Sequence, residues 1–167
     1  ETFENALEEE IIKIAPSHML HAGIAESYEK GRQKLTTQPG VEILAVTETE
    51  VLEGQGGATV ATVSAQTFLN TDALPEEVFG PFALIIKCES IDEVISVGGK
   101  LHGQLTATLL ATNEDLVENE ELVGLVTDKC GRILFNNFPT GVEVCKSMHH
   151  GGPFPSSSNS QFTSVGS

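Results

Sequence analysis

Basic side chains are scarce in this chain: nine lysines and arginines stand against 24 aspartates and glutamates, a formal net charge of −15 at pH 7. A phosphate backbone would be repelled by such a surface rather than neutralised, which excludes nucleic acid as a partner. An acidic surface is explained by solubility, and an anionic substrate would need basic groups gathered locally. Long apolar runs are also missing. No stretch approaches the roughly 20 residues that cross a bilayer, so no membrane partner is expected. No charged-then-apolar leader opens the sequence, though a fragment would not show one; the expected setting is the cytoplasm. Cysteine is rare as well. Cys88, Cys130 and Cys145 make an odd count at wide, irregular spacing, which excludes a disulfide framework or a zinc ribbon. Cys88 falls in the strand-like run Ile85-Ile86-Lys87-Cys88 and Cys130 closes a helix-like run. Both read as buried thiols acting as small apolar residues. Cys145, beside Lys146 in a loop or edge segment, would need an activating environment to serve as a nucleophile. None of the three is assigned a catalytic role.

Phosphate cradles and metal clusters are absent too. Gly99-Lys100 is followed by Leu101 and lacks a glycine five residues before Gly99, while Gly54–Gly57 opens no helix, so both read as turns. His149 and His150 are adjacent and cannot easily face one ion. His18 and His21 stand three apart on a presumed helix, but no cysteine or carboxylate joins them at ligand spacing, so no metal is expected.

At 167 residues the chain can bury one core, and one domain is the natural count. Leu7, Ile11, Ile12 and Ala15 recur at helical spacing before Pro16 stops a first helix. Ser17 is placed to cap a second helix running to about Leu35, with Met19, Ile24, Tyr28 and Leu35 among its apolar positions. Val41–Val46 and Ala58–Ala65 read as strands. Phe82–Cys88 is a nearly continuous apolar run, the pattern of a strand covered on both faces. Ser90-Ile91-Asp92-Glu93 has the form of a capping box and opens a helix ending near Gly103. Leu105–Ala111 is a strand, Asn113 caps a long acidic helix through Cys130, and Arg132–Phe135 is the next strand. This alternation predicts an α/β fold, a mostly parallel sheet with helices on both faces. The serine-rich tail Ser156–Ser167 reads as flexible.

The segment Pro75-Glu76-Glu77-Val78-Phe79-Gly80-Pro81 is the richest in chemistry. A carboxylate and a phenyl ring sit two residues apart, before a Gly-Pro turn that launches a strand. Glu77 can accept both hydroxyls of a ribose in a charge-assisted pair while Phe79 lies against a nicotinamide ring. Glu76 points to the opposite side, as neighbours on an extended chain do. A surface carboxylate and a core phenyl before an ordinary turn would explain the string about as well. Asn136, Asn137 and Phe138 follow a strand at its carboxyl end, where open α/β sheets place ligands. The plainer alternative there is a polar turn beside a packed aromatic.

These residues resemble the aldehyde dehydrogenase superfamily, whose members carry Glu-x-Phe-Gly-Pro at such a strand entrance. The likeness extends to Leu101–Thr108, to Cys130–Val142 and to Met148-His149-His150-Gly151-Gly152-Pro153-Phe154-Pro155. The last two segments look like the NADP-dependent branch that holds 2,5-dioxovalerate (α-ketoglutaric semialdehyde) dehydrogenases and a fatty aldehyde dehydrogenase. The resemblance implies a truncated catalytic domain over residues 1–155, with 156–167 leading toward a subunit-contacting strand and a homo-oligomer. It implies NADP, with NAD allowed, bound by Glu77 and Phe79. Phe138, Thr140, Gly141 and Val142 would line an aldehyde tunnel. Neither the family's Gly-Gln-x-Cys nucleophile nor its Glu-Leu-Gly-Gly base occurs. The thiol that would form the thiohemiacetal, and the base that would activate water against the thioester, are therefore expected on the missing remainder of the polypeptide. Two other readings compete: a non-enzymatic α/β assembly module, and an unrelated α/β enzyme using Cys145 or a histidine.

Overall fold

The computed structural model describes residues 2–138 and 151–159. The chain divides into two compact units, Glu1–Cys88 and Glu89–Ser167.

In the first unit, helix α1 (Thr2–Ile11) is followed by β1 (Ser17–His18), α2 (Ala22–Thr36), β2 (Glu42–Val46), β3 (Gln55–Gly56), β4 (Thr59–Ser64), α3 (Ala65–Asn70) and β5 (Phe82–Lys87). Strand β4 is the middle of the sheet β2–β4–β5, antiparallel to β2 and parallel to β5, with Thr59 opposite Phe82 and Ser64 opposite Lys87. Its Thr-Val-Ala-Thr-Val run is small or β-branched, as suits a strand covered on both faces, and all five residues are buried. Ser64 then ends the strand and caps α3 by accepting the Thr67 N–H at 3.1 Å, which sends Phe68 into the core. Strand β5, expected to be covered on both faces, is half-buried because it stands at the edge of this three-stranded sheet.

In the second unit, α4 (Ile91–Lys100), β6 (Gln104–Leu109), α5 (Asn113–Glu118), α6 (Glu120–Lys129) and β7 (Cys130–Phe135) follow in order. Strands β6 and β7 pair in parallel, Gln104 opposite Cys130 through Leu109 opposite Phe135, and the helical connection between them is the crossover that parallel strands require. Ser90 caps α4 by accepting the Glu93 N–H. Lys129 closes the other end of α4 by donating to the Gly99 and Leu101 carbonyls at 2.9 and 2.6 Å, a cation on the negative end of the helix dipole. Residues 151–154 press against the starts of β6 and β7. A Cβ added at Gly131 would lie 1.6 Å from the Gly151 carbonyl oxygen, and one at Gly103 would lie 2.2 Å from that of Pro153. At its start the serine-rich tail is tied back: Ser156 donates to the Pro153 carbonyl and Ser157 to that of Gly152, both at 2.6 Å.

The α/β class and the parallel pairs β4–β5 and β6–β7 agree with the alternation in the sequence. Four local expectations do not survive. Ser17 caps nothing: it lies in β1, which pairs antiparallel with β3, and α2 begins at Ala22 with His21 at its N-cap. The same pairing makes Gln55-Gly56 a short strand rather than only a turn. Thr112, not Asn113, caps α5, sharing a reciprocal capping box with Asp115. The expected single helix through Cys130 is two, because Asn119 leaves helical geometry (φ −119°, ψ 44°) while its side chain donates to the Asp115 carbonyl at 2.7 Å. Such local side-chain bonds compete with helix continuation. Among the described residues no helix is long and apolar enough to cross a membrane.

Candidate functional site

The segment from Glu76 to Pro81 runs along α2 before entering β5. Glu76 forms an ion pair with Lys34. Val78 lies over Gly31, where a Cβ would meet its methyls at 3.5 and 3.7 Å. At Gly80 the backbone takes φ +154°, a region that disfavours side chains, and a Cβ there would lie 2.3 Å from Cδ2 of Tyr28. The residues between these anchors point elsewhere. Glu77 is exposed and has no partner among the described residues, and Phe79 is 66% exposed. A bare phenyl that large, beside an unpaired carboxylate, is a surface suited to a ring-bearing polar ligand.

Tyr28 fixes the corner. Only 2% exposed, it donates its hydroxyl to the Gly57 carbonyl at 2.6 Å and approaches that of Pro81 at 3.2 Å, so it ties together the entrances of β4 and β5. Burial pushes its phenol above the ordinary tyrosine range, against the opposing pull of the Thr59 hydroxyl and Arg32. The linkage follows directly: the unfolded chain loses this proton first, so the stability held by Tyr28 is complete below about pH 10 and declines as pH rises toward the folded value. Tyr28 is the sole tyrosine and there is no tryptophan, so tyrosinate absorbance reports this group alone. Alkaline titration of the folded chain should give a midpoint above that of the chain in denaturant. Coincident midpoints would mean that the ring is not buried as described. A cleft of about 480 Å³ opens on the same helix, bordered among others by Tyr28, Arg32, Gly54 and Gly57, with the Arg32 guanidinium held by Glu29.

In the second unit the end of β7 is clamped to β6. Asn136, at φ 48°, both accepts from the Ala111 N–H and donates to the Ala111 carbonyl, at 2.9 and 2.8 Å. That amide extends the strand pairing and is spent on structure. Phe138 is 72% exposed just past the carboxyl ends of the parallel strands. Thr140, Gly141, Val142, Cys145, His149 and His150 lie outside the described residues. Cys130 is buried, and desolvation raises its thiol pKa, the opposite of what a nucleophile needs. Cys88 is half-buried. Among the described residues no group of three or more histidine, cysteine or carboxylate side chains could hold a metal.

The sequence alone did not mark Lys34 or Gly31, and it marked Tyr28 only as an apolar helix position. The one available signal was their spacing of three, which lines them along one helix face.

Alpha-ketoglutaric semialdehyde dehydrogenase 2 of Azospirillum brasilense is 44% identical over 164 residues, covering 98% of this chain and 31% of that protein. An aldehyde dehydrogenase from Bacillus cereus, solved as its NAD+ complex, matches with TM-score 0.69 and 20% identity over 91% of this chain and 31% of that one. Succinic semialdehyde dehydrogenase from Streptococcus pyogenes, in complex with NADP+, matches with TM-score 0.66 and 18% identity over 90% of this chain and 33% of that one. No family profile matches the chain. Over nearly its whole length the chain is similar in sequence to α-ketoglutaric semialdehyde dehydrogenases and in fold to aldehyde dehydrogenases. It spans about a third (31%) of the curated relatives it matches.

Proposed function

We propose that this chain is the cofactor-presenting part of a longer NAD(P)-dependent aldehyde dehydrogenase. That enzyme would oxidise an aldehyde, α-ketoglutaric semialdehyde first among the candidates, to its carboxylic acid through a cysteine thiohemiacetal and thioester. The observation that carries the reading is the display of Glu77 and Phe79. The structure holds an acceptor-only carboxylate and an exposed ring two residues apart, on a backbone anchored to α2 through the alternate residues. Such a pair fits a nicotinamide riboside: the carboxylate accepts from the two ribose hydroxyls and the phenyl covers the ring. When bound, the nicotinamide supplies the hydride acceptor. Glu77 and Phe79 contribute orientation, and a misplacement of about 1 Å costs roughly a hundredfold in rate. Phe138, with Thr140, Gly141 and Val142 after it, shapes the aldehyde's approach. NADP is the expected cofactor and NAD the alternative.

The nucleophile and the base lie outside this chain, and no residue of it is assigned a covalent step. On this reading residues 1–155 are catalytic-domain sequence and 156–167 lead toward a strand that contacts a second subunit. The longer protein is read as a cytoplasmic homo-oligomer. The test is aldehyde-dependent reduction of NADP and NAD by the longer protein, with this chain alone as control, on α-ketoglutaric semialdehyde and a fatty aldehyde side by side. Turnover is expected from the longer protein only, and faster on the semialdehyde. Faster turnover of the fatty aldehyde would move the substrate to that class, and no turnover with any pair would leave an α/β module without this activity.

A further inference from the structure

The anchors beneath Glu77 and Phe79 are distributed in a way the display motif itself does not require. We propose that α2 is a positioning ledge: Tyr28, Gly31 and Lys34 grip Gly80, Val78 and Glu76 in turn, and this grip sets the aim of Glu77 and Phe79. The inference rests on the cofactor role proposed above for those two residues.

The geometry supports it in two ways. Helix residues three apart and chain residues two apart are matched in antiparallel order, Tyr28 with Gly80, Gly31 with Val78 and Lys34 with Glu76. The two ends of the ledge carry long side chains, a lysine and a tyrosine. The centre carries a glycine, and a Cβ added there would just reach the Val78 methyls, at 3.5 and 3.7 Å. The second support is the exposure of the outer anchor. Both partners of the Lys34–Glu76 pair are more than half exposed, 54% and 57%, and exposed pairs add little to folding stability. An ion pair that does little for stability but holds the residue next to Glu77 fits an aiming role. Tyr28 secures the other end through the Gly57 and Pro81 carbonyls.

The test uses the longer protein with Lys34→Gln, Tyr28→Phe and the double variant. Val63→Ala serves as a structural control, because Val63 is buried in β4 and touches none of the ledge contacts described. NADP affinity is read by titration calorimetry, stability by thermal melting and turnover at saturating cofactor. The double variant should bind NADP about tenfold more weakly and turn over about tenfold more slowly. Val63→Ala should lower the melting temperature at least as far and leave affinity unchanged. The proposal is overturned if the ledge variants affect affinity no more than Val63→Ala does. Glu77→Gln is measured in parallel. If it weakens binding while the ledge variants do not, the ledge alone fails. If it too changes nothing, the cofactor role and the ledge built on it fall together.

Discussion

Replacing Glu77 by glutamine in the longer protein slows hydride transfer by about a hundredfold while the fold stays intact. Both halves of that expectation come from the same surroundings. Glu77 is exposed and unpaired among the described residues, so folding loses no buried contact or ion pair when its charge is removed. Glutamine keeps the length and shape of the side chain. What it loses is a charged acceptor able to take two hydroxyl protons at once, and charge-assisted bonds are roughly twice as strong as neutral ones. It also turns an amide N–H₂ toward a diol that was donating. The ribose is then free to swing, and with it the carbon that must meet the substrate. Rapid-mixing measurement of the cofactor reduction step reads this directly. An unchanged rate would show that Glu77 is an ordinary surface carboxylate.

The second large effect is on stability. Gly131→Ala should destabilise the second unit by about 3 kcal/mol or more, the upper range for overpacking. On an ordinary strand the exchange would be mildly favourable through the unfolded chain. Here the added carbon would fall 1.6 Å from the Gly151 carbonyl oxygen and 3.0 Å from the Gly152 Cα. Those atoms are backbone, so no side chain can rotate out of the way, and residues 151–154 would have to leave the strand ends. Their bonds to Ser156 and Ser157 would go with them. Urea unfolding of the chain measures the loss. Wild-type stability in the variant would mean that the Gly-Gly-Pro segment does not dock there.

What the sequence disclosed and what it hid divide along range of interaction. Strands β4 and β5, helix α4 and the strands β6 and β7 were legible because each carries its own periodicity and its own start signal. Ser90 with Glu93 is the plainest case. The β1–β3 pair was not, since two residues have no period and their partner is 39 positions away (Ser17 to Gly56). That distant pairing also defeated the local case for Ser17 as a helix cap. Helix α3 is six residues long and begins at Ala65, the last residue of what read as a strand, so only the Ser64 cap could have given it away. The break at Asn119 depends on one side chain competing for one carbonyl.

The candidate site divides in the same manner. Glu77 and Phe79 could be picked out because they stand in one contiguous string beside a Gly-Pro turn. Tyr28 and Lys34 could not, because their partners are 53 and 42 positions away. Such a grip is written in two separate stretches, neither of which is unusual by itself. Gly80 shows both sides. The sequence marks it as a turn glycine, while the reason no other residue fits is the ring of Tyr28 lying where its Cβ would be.

The most direct test of the central claim is a crystal structure of the longer protein with NADP bound. The account predicts the Glu77 carboxylate within hydrogen-bonding distance of both hydroxyls of the nicotinamide ribose, and the Phe79 ring against the nicotinamide. A ribose held by other groups, with Glu77 turned to solvent, would contradict it.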